Sequence, residues 1–292
     1  MLDRSLDALG MAGIPALEPL LYPGVIPTES VLLRRRHLFR LAPAPARLGS
    51  WQVRELDVEL DAALREAGEE PTGRRFPVLA VGSNGSPGQM AHKLASLHLS
   101  TMVPMAPVEV TGIGIGLSGH VSPAGYVSAS PYFAPHRVTT LMATWLDGDQ
   151  MAAVDATESP YHRILLPGSD FRMLLVSGEV LDGCYLYVHR QGVLAEVDGM
   201  PMQAADQSTV LTKLLGRSAR LRVLFGDDPE TFLARSSANE DLREAGTRLF
   251  DKEGWVLPQP AFDRYVTEES PGYLHAELSP LERAFADQSP VR

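Results

Sequence analysis

The chain has a single cysteine, Cys184, so it can close no internal disulfide and cannot by itself supply a thiolate zinc site. It has no apolar run near the roughly 20 residues that a membrane-spanning helix needs. The opening MLDRSLDALGMAGIPALEPLLYPGV is punctuated by acids and prolines and lacks the basic start and continuous apolar core of a secretory leader. There is no basic tail either: 26 Lys and Arg stand against 36 Asp and Glu, a formal charge of -10. Such a chain has no bulk attraction for phosphate backbones or anionic lipid. The expectation is therefore a cytoplasmic protein with no nucleic-acid and no membrane partner. No repeat, coiled coil or low-complexity tract is visible.

What is present is ample material for a core: 292 residues, 45% hydrophobic and 21% charged, enough for one large domain or two smaller ones. The 25 glycines and 23 prolines exceed average usage and fall between short apolar stretches, which points to many turns. Residues 1–75 read as an irregular arm, a basic amphipathic stretch VLLRRRHLFRL and a helix across 53–68 with Leu56, Leu60 and Leu64 on its apolar stripe. The run Arg34–Arg36 reads as an exposed face or a source of salt bridges. From Phe76 the pattern changes to short β-like pieces, PVLAVGSN, VEVTGIGIGLSG, GYVSASPYFAPH and RVTTLMATWL, with a helix expected over 87–99. A short helix follows across 147–158, then two or three strands over 172–199. Helical sequence dominates the end, with two helices after Phe225.

The loop GSNGSPG, reached by the buried strand ending at Gly82, can present consecutive backbone N–H groups to a carboxylate or a developing oxyanion. Glycines at 82, 85 and 88 do not make the G-x-G-x-x-G dinucleotide fingerprint, and no Gly-Lys-Ser completes a P-loop. Glu158 ends a short apolar helix with Pro160 close behind, where a partly enclosed carboxylate can shuttle a proton; an ordinary surface acid is the plainer alternative. No G-x-S-x-G elbow supports a serine hydrolase, and the histidines show no H-E-x-x-H spacing. His120, His136 and His162 read as structural or exposed, and Cys184 as a buried hydrophobe. Tyr126 and Tyr132 fit either a pocket wall or sheet packing.

Together, the Val-Gly-Ser-Asn loop and the later Asp155-x-x-Glu158, followed by Tyr161 and Arg163, resemble the signature of the gamma-glutamylcyclotransferase-like family. The resemblance spans about residues 76–200. It implies a metal-independent, cofactor-free transferase or lyase and an α+β fold with a mixed β-barrel core, extended by helical N- and C-terminal segments. The expected division is an extension over 1–75, a core over 76–225 and a helical, irregular extension over 226–292. In that reading Glu158 is the catalytic acid/base, and Val81, Gly82, Ser83, Asn84, Gly85, Tyr126, Tyr161 and Arg163 bind a small gamma-glutamyl substrate. The reaction would release 5-oxoproline and an amine or amino acid. Val81 stands where the family has an aromatic residue, and Gly85 where it often has leucine. A gamma-glutamyl acyltransferase or hydrolase, or a non-enzymatic metabolite- or protein-binding member of the same fold, is the alternative. A homo-oligomer is compatible with the apolar residues of the flanks.

Overall fold

The computed structural model describes residues 3–267 and 274–275. An N-terminal arm leads into strands β1 (Val31–Arg34), β2 (His37–Ala42), β3 (Gln52–Val53) and β4 (Val58–Glu59), then helix α1 (Leu60–Glu66). Next come β5 (Phe76–Ala80), α2 (Pro87–Ser96) and two long strands, β6 (Val103–Leu117) and β7 (Ala129–Leu146). Helix α3 (Gly148–Thr157) precedes β8 (Tyr161–Pro167), β9 (Met173–Leu175), β10 (Val180–Leu181), β11 (Gly183–His189) and β12 (Val193–Leu194). The C-terminal part contains α4 (Gln207–Arg217), α5 (Ala219–Phe225), α6 (Pro229–Ala238), α7 (Glu240–Lys252) and β13 (Val256–Leu257). Among the described residues no helix is long and apolar enough to cross a membrane.

The α+β class holds, but the expected barrel does not. Eleven strands form one mixed sheet in the order β4-β3-β2-β1-β6-β7-β5-β11-β8, with β9 and β10 branching from β6. A barrel requires its last strand to bond to its first. Here, among the described residues, β8 pairs as a strand with β11 alone, and β4 with β3 alone. The outer edge of β8 is occupied instead by a one-residue bridge from Ile164 to Val266, with Thr267 N–H donating to the Arg163 carbonyl at 3.0 Å. The β6–β7 ladder also shifts register between Thr111 and Gly112, where its partners jump from Val138 to Ala134, and this bends the sheet without closing it.

The early residues are less helical than their periodicity predicts. VLLRRRHLFRL is a β-hairpin whose turn places Arg35 at φ 57°, and β1 pairs with β6 in the main sheet. The helix expected over 53–68 shrinks to α1, because Asp57 lies in the left-handed region at φ 54° and Val58 pairs with Val53. Helix α3 begins where the sequence suggests: Asp147 accepts from Gln150 N–H and the Gln150 side chain accepts from Asp147 N–H, a capping box.

The core has three apolar clusters. One centres on Trp51, Trp145, Ile113 and Phe171; a second packs α2 and α3 on β5 through Met90, Leu94, Met151 and Val78. The third joins α4–α7 to the β6–β7 connection through Leu117, Val121, Val127, Phe225 and Phe250. At the entry to β5 lies Arg75, with no solvent exposure. Its guanidinium donates to the carbonyls of Glu70 (2.7 Å), Met102 (3.1 Å) and Trp145 (3.3 Å), to Gln150 Oε1 (3.0 Å) and to Glu69 (3.3 Å). One side chain thereby ties β5 to the ends of β6 and β7 and to the first turn of α3.

Replacing Arg75 with Met strands these buried acceptors and leaves Glu69 and Asp147 without their cation. The expected loss is on the order of 3–5 kcal/mol in urea unfolding; a near-neutral result would show that water reaches these acceptors.

Candidate functional site

Strand β5 is buried along its whole length because it lies between two neighbours, antiparallel to β7 and parallel to β11. Its C-terminal end delivers the glycine loop to a small cavity. Residues 83–85 make one 3-10 turn, in which Gly85 N–H donates to the Gly82 carbonyl at 3.0 Å and Ser86 N–H to the Ser83 carbonyl at 2.9 Å. Pro87 then starts α2. The N–H groups of 82, 83 and 84 carry no intramolecular acceptor among the described residues, as expected for the first positions of a short helical turn. Three adjacent amide donors are thus left at the cavity.

Glu158 reaches the same cavity from the C-terminal end of α3. Its Oε1 accepts from Asn84 Nδ2 at 3.0 Å and lies 3.8 Å from Lys93 Nζ. Lys93, on α2, donates to Asn84 Oδ1 at 2.8 Å and to Thr157 Oγ1 at 2.8 Å. An ammonium can only donate. It therefore holds the Asn84 carbonyl oxygen and turns the amide nitrogen toward the carboxylate. Burial lowers the Lys93 pKa, partly offset by the nearby charge of Glu158. A half-buried chain, Thr157–Lys93–Asn84–Glu158, orients the one carboxylate that lines the cavity among the described residues.

The remaining wall is rich in hydroxyls. Four of the eight tyrosines, Tyr22, Tyr126, Tyr161 and Tyr187, line a volume of about 140 Å³ together with Ser83, Ser122, Ser128 and His120. That is less than half the roughly 300 Å³ at the lower end of drug-sized pockets, so the enclosed part fits a fragment of amino-acid size. Desolvation pushes the Tyr126 phenol up to about 12, against a hydrogen bond with Ser83 that lowers it. Burial also raises Tyr22 and Tyr161, so the phenols stay neutral and can donate at neutral pH. The Ser122 hydroxyl is buried with no protein partner among the described residues.

Of the residues singled out from sequence, the structure brings Val81, Gly82, Ser83, Asn84, Tyr126, Glu158 and Tyr161 to one cavity. Gly85 is buried under the loop, where a Cβ would meet Ala80, Ile26 and Met142 at 3.4 Å, and it does not line the space. Arg163 is turned away as well: its guanidinium pairs with Asp155, which also accepts from the Tyr187 hydroxyl at 2.6 Å. Sequence reasoning passed over Tyr22, Lys93 and Tyr187 and read His120 as merely structural. Lys93 left a signal, since it is one of only three lysines and follows the glycine loop by two turns of helix. Tyr22 left none, being 60 residues from the loop it touches. Among the described residues no group of three or more His, Cys, Asp or Glu could hold a metal ion.

His120 stacks on His189 with ring centroids 4.2 Å apart, and Tyr161 meets both rings edge-on. Desolvation is the main cause that lowers His120 to about 3 and His189 to about 4, so both are neutral imidazoles in the folded protein. In the unfolded chain they titrate near 6.5. Between these values the unfolded state binds protons that the folded state does not, so stability falls as pH drops from about 6.5 toward 4. Thermal melts across that range should show a falling midpoint, and His189→Gln should flatten the fall; an unchanged slope would show that other groups set it.

No protein-family model matches the chain, and no curated protein matches its sequence. Solved structures do show similarity. An Arabidopsis thaliana protein known by solution structure aligns at 12% identity and a TM-score of 0.32, over 52% of this chain and 91% of its own. A yeast gamma-glutamyl cyclotransferase specific to glutathione aligns at 11% identity and a TM-score of 0.29, over 61% of this chain and 99% of its own. Both likenesses are weak.

Proposed function

We propose that the chain cleaves a gamma-glutamyl amide or peptide by internal cyclisation, releasing 5-oxoproline and an amine or amino acid. One observation carries this reading: residues 82–84, whose amides have no acceptor among the described residues, and Glu158 line the same cavity. That pairing supplies the two things that the reaction needs, donors for a developing oxyanion and a base that can return its proton.

In the proposed reaction the substrate's neutral α-amine attacks its own γ-carbonyl carbon, forming the ring C–N bond. Glu158 takes a proton from that nitrogen, and negative charge collects on the former carbonyl oxygen, which the 82–84 amides stabilise. As the original amide C–N bond breaks, the carbonyl re-forms and protonated Glu158 delivers its proton to the departing nitrogen. Glu158 ends ionised, and no external acid, oxidant or water is consumed. Lys93 and Asn84 act as positioning residues by fixing the carboxylate's direction. Enclosure keeps the γ-glutamyl part folded toward attack and limits competing hydrolysis. With Arg163 committed to Asp155, recognition of the substrate carboxylate falls to neutral donors such as amides and hydroxyls. The net charge of -10 supplies no attraction for an acidic ligand.

A panel of gamma-glutamyl amines and peptides assayed for 5-oxoproline tests the reading. Glu158→Gln should lower release by about 10²–10⁴-fold while the protein stays folded. Full release by folded E158Q would sink it, and free glutamate as the product would select a hydrolase instead. Lys93→Met should act more mildly, roughly tenfold on kcat, since it disturbs only the orientation of Glu158.

A further inference from the structure

The N-terminal arm belongs to the cavity, and its anchoring is specific. Ala16 N–H donates to Gln89 Oε1 at 3.0 Å, and residues 11–13 pass so close to α2 that a Cβ on Gly88 would run into the carbonyls of Met11 and Gly13. Ile26 packs beneath Gly85. Between these contacts the arm inserts Tyr22, which is 5% exposed. Its ring stacks on Tyr126 at 4.3 Å, and its hydroxyl accepts from Ala129 N–H at 2.7 Å. The hydroxyl lies against the glycine loop: a Cβ on Gly82 would overlap it. Only glycine at 82 admits this approach.

The hydroxyl's own hydrogen is the unused element. Among the described residues no acceptor receives it, and Tyr22 lines the cavity beside the amides of 82–84. A buried phenol that already accepts one hydrogen bond has a donor to place. Burial raises its pKa well above the usual tyrosine value, so that proton is retained at neutral pH. Ala129 N–H fixes the oxygen and the Tyr126 ring fixes the plane, which leaves the donor preorganised rather than mobile.

We propose that Tyr22 completes the ligand site, its hydroxyl donating to the acyl oxygen held by the amides of residues 82–84, so that the N-terminal arm is part of the binding machinery. This rests on the cyclotransferase reading for the identity of the ligand. The donor would favour ligands that present a carbonyl oxygen at the loop over those that offer a methylene there.

Calorimetric titration of the full chain with 5-oxoproline and with L-proline, which lacks the lactam oxygen, tests the proposal. The wild-type chain should prefer 5-oxoproline. Tyr22→Phe, which keeps the ring, should weaken 5-oxoproline roughly tenfold, the scale of one hydrogen bond to a polar ligand group, and leave L-proline unchanged within about twofold. Gly82→Ala, whose Cβ displaces the hydroxyl, should show the same selective loss and serves if Y22F does not fold. Equal weakening of both ligands, or of neither, overturns the donor role while the proposed function stands. No binding of 5-oxoproline by the wild-type chain overturns both.

Discussion

The buried guanidinium of Arg75 is the joint on which the site depends. It sits one residue before β5, the strand that delivers the glycine loop, and it bonds to Gln150 in the first turn of α3, the helix that delivers Glu158. The two functional segments leave that joint along separate elements and meet again at the far end of β5. A neutral side chain could not do this, because the joint must satisfy several buried carbonyls at once and only a guanidinium offers five directed donors. Desolvation opposes the charge there, and Glu69 and Asp147 offset it.

The cavity itself is made from element ends. A strand stops at Ala80 and the following 3-10 turn leaves three amides without acceptors among the described residues; a helix stops at Thr157 and leaves Glu158 at its exit. Both facts follow from backbone geometry, since the first amides of any helical turn lack acceptors. The side chains around them are mostly neutral donors: phenols with raised pKa values and imidazoles with lowered ones. In such a setting the oriented Glu158 carboxylate is the group to which the proposed reaction assigns the proton. Lys93, the nearby cation, is committed to Asn84 and Thr157.

The open sheet shows where local pattern and tertiary structure part. Alternation in VEVTGIGIGL and the turn spacing identify strands well, yet a strand's neighbours are not encoded in its own residues. The edge of β8 is met by the extended chain around Val266 instead of by the other end of the sheet, and β9–β10 join β6, which carries the β1 hairpin on its other stretch. The first 60 residues misled in a similar way. Leu56, Leu60 and Leu64 fit a helical stripe, but Asp57 in the left-handed region separates Leu56 from α1. Gly85 and Arg163 fit a site by position in a motif, whereas packing under the loop and a pairing with Asp155 take them out of the cavity wall.

What the sequence by itself determined is local: a buried strand ending in a glycine turn, a helix capped at Asp147 and ending before Pro160, and one acid at that exit. These are set by residues within a turn or two of one another, so they can be read along the chain. The tertiary structure alone decided that the turn and the acid share a cavity, that Lys93 and Asn84 aim the carboxylate, and that a tyrosine from the arm presses on Gly82. Contacts such as Tyr22 with Ala129, 107 positions apart, depend on which strands pair and how the arm is routed. No local periodicity carries that information, because the free energy that selects it comes from burial and hydrogen bonding across the whole fold.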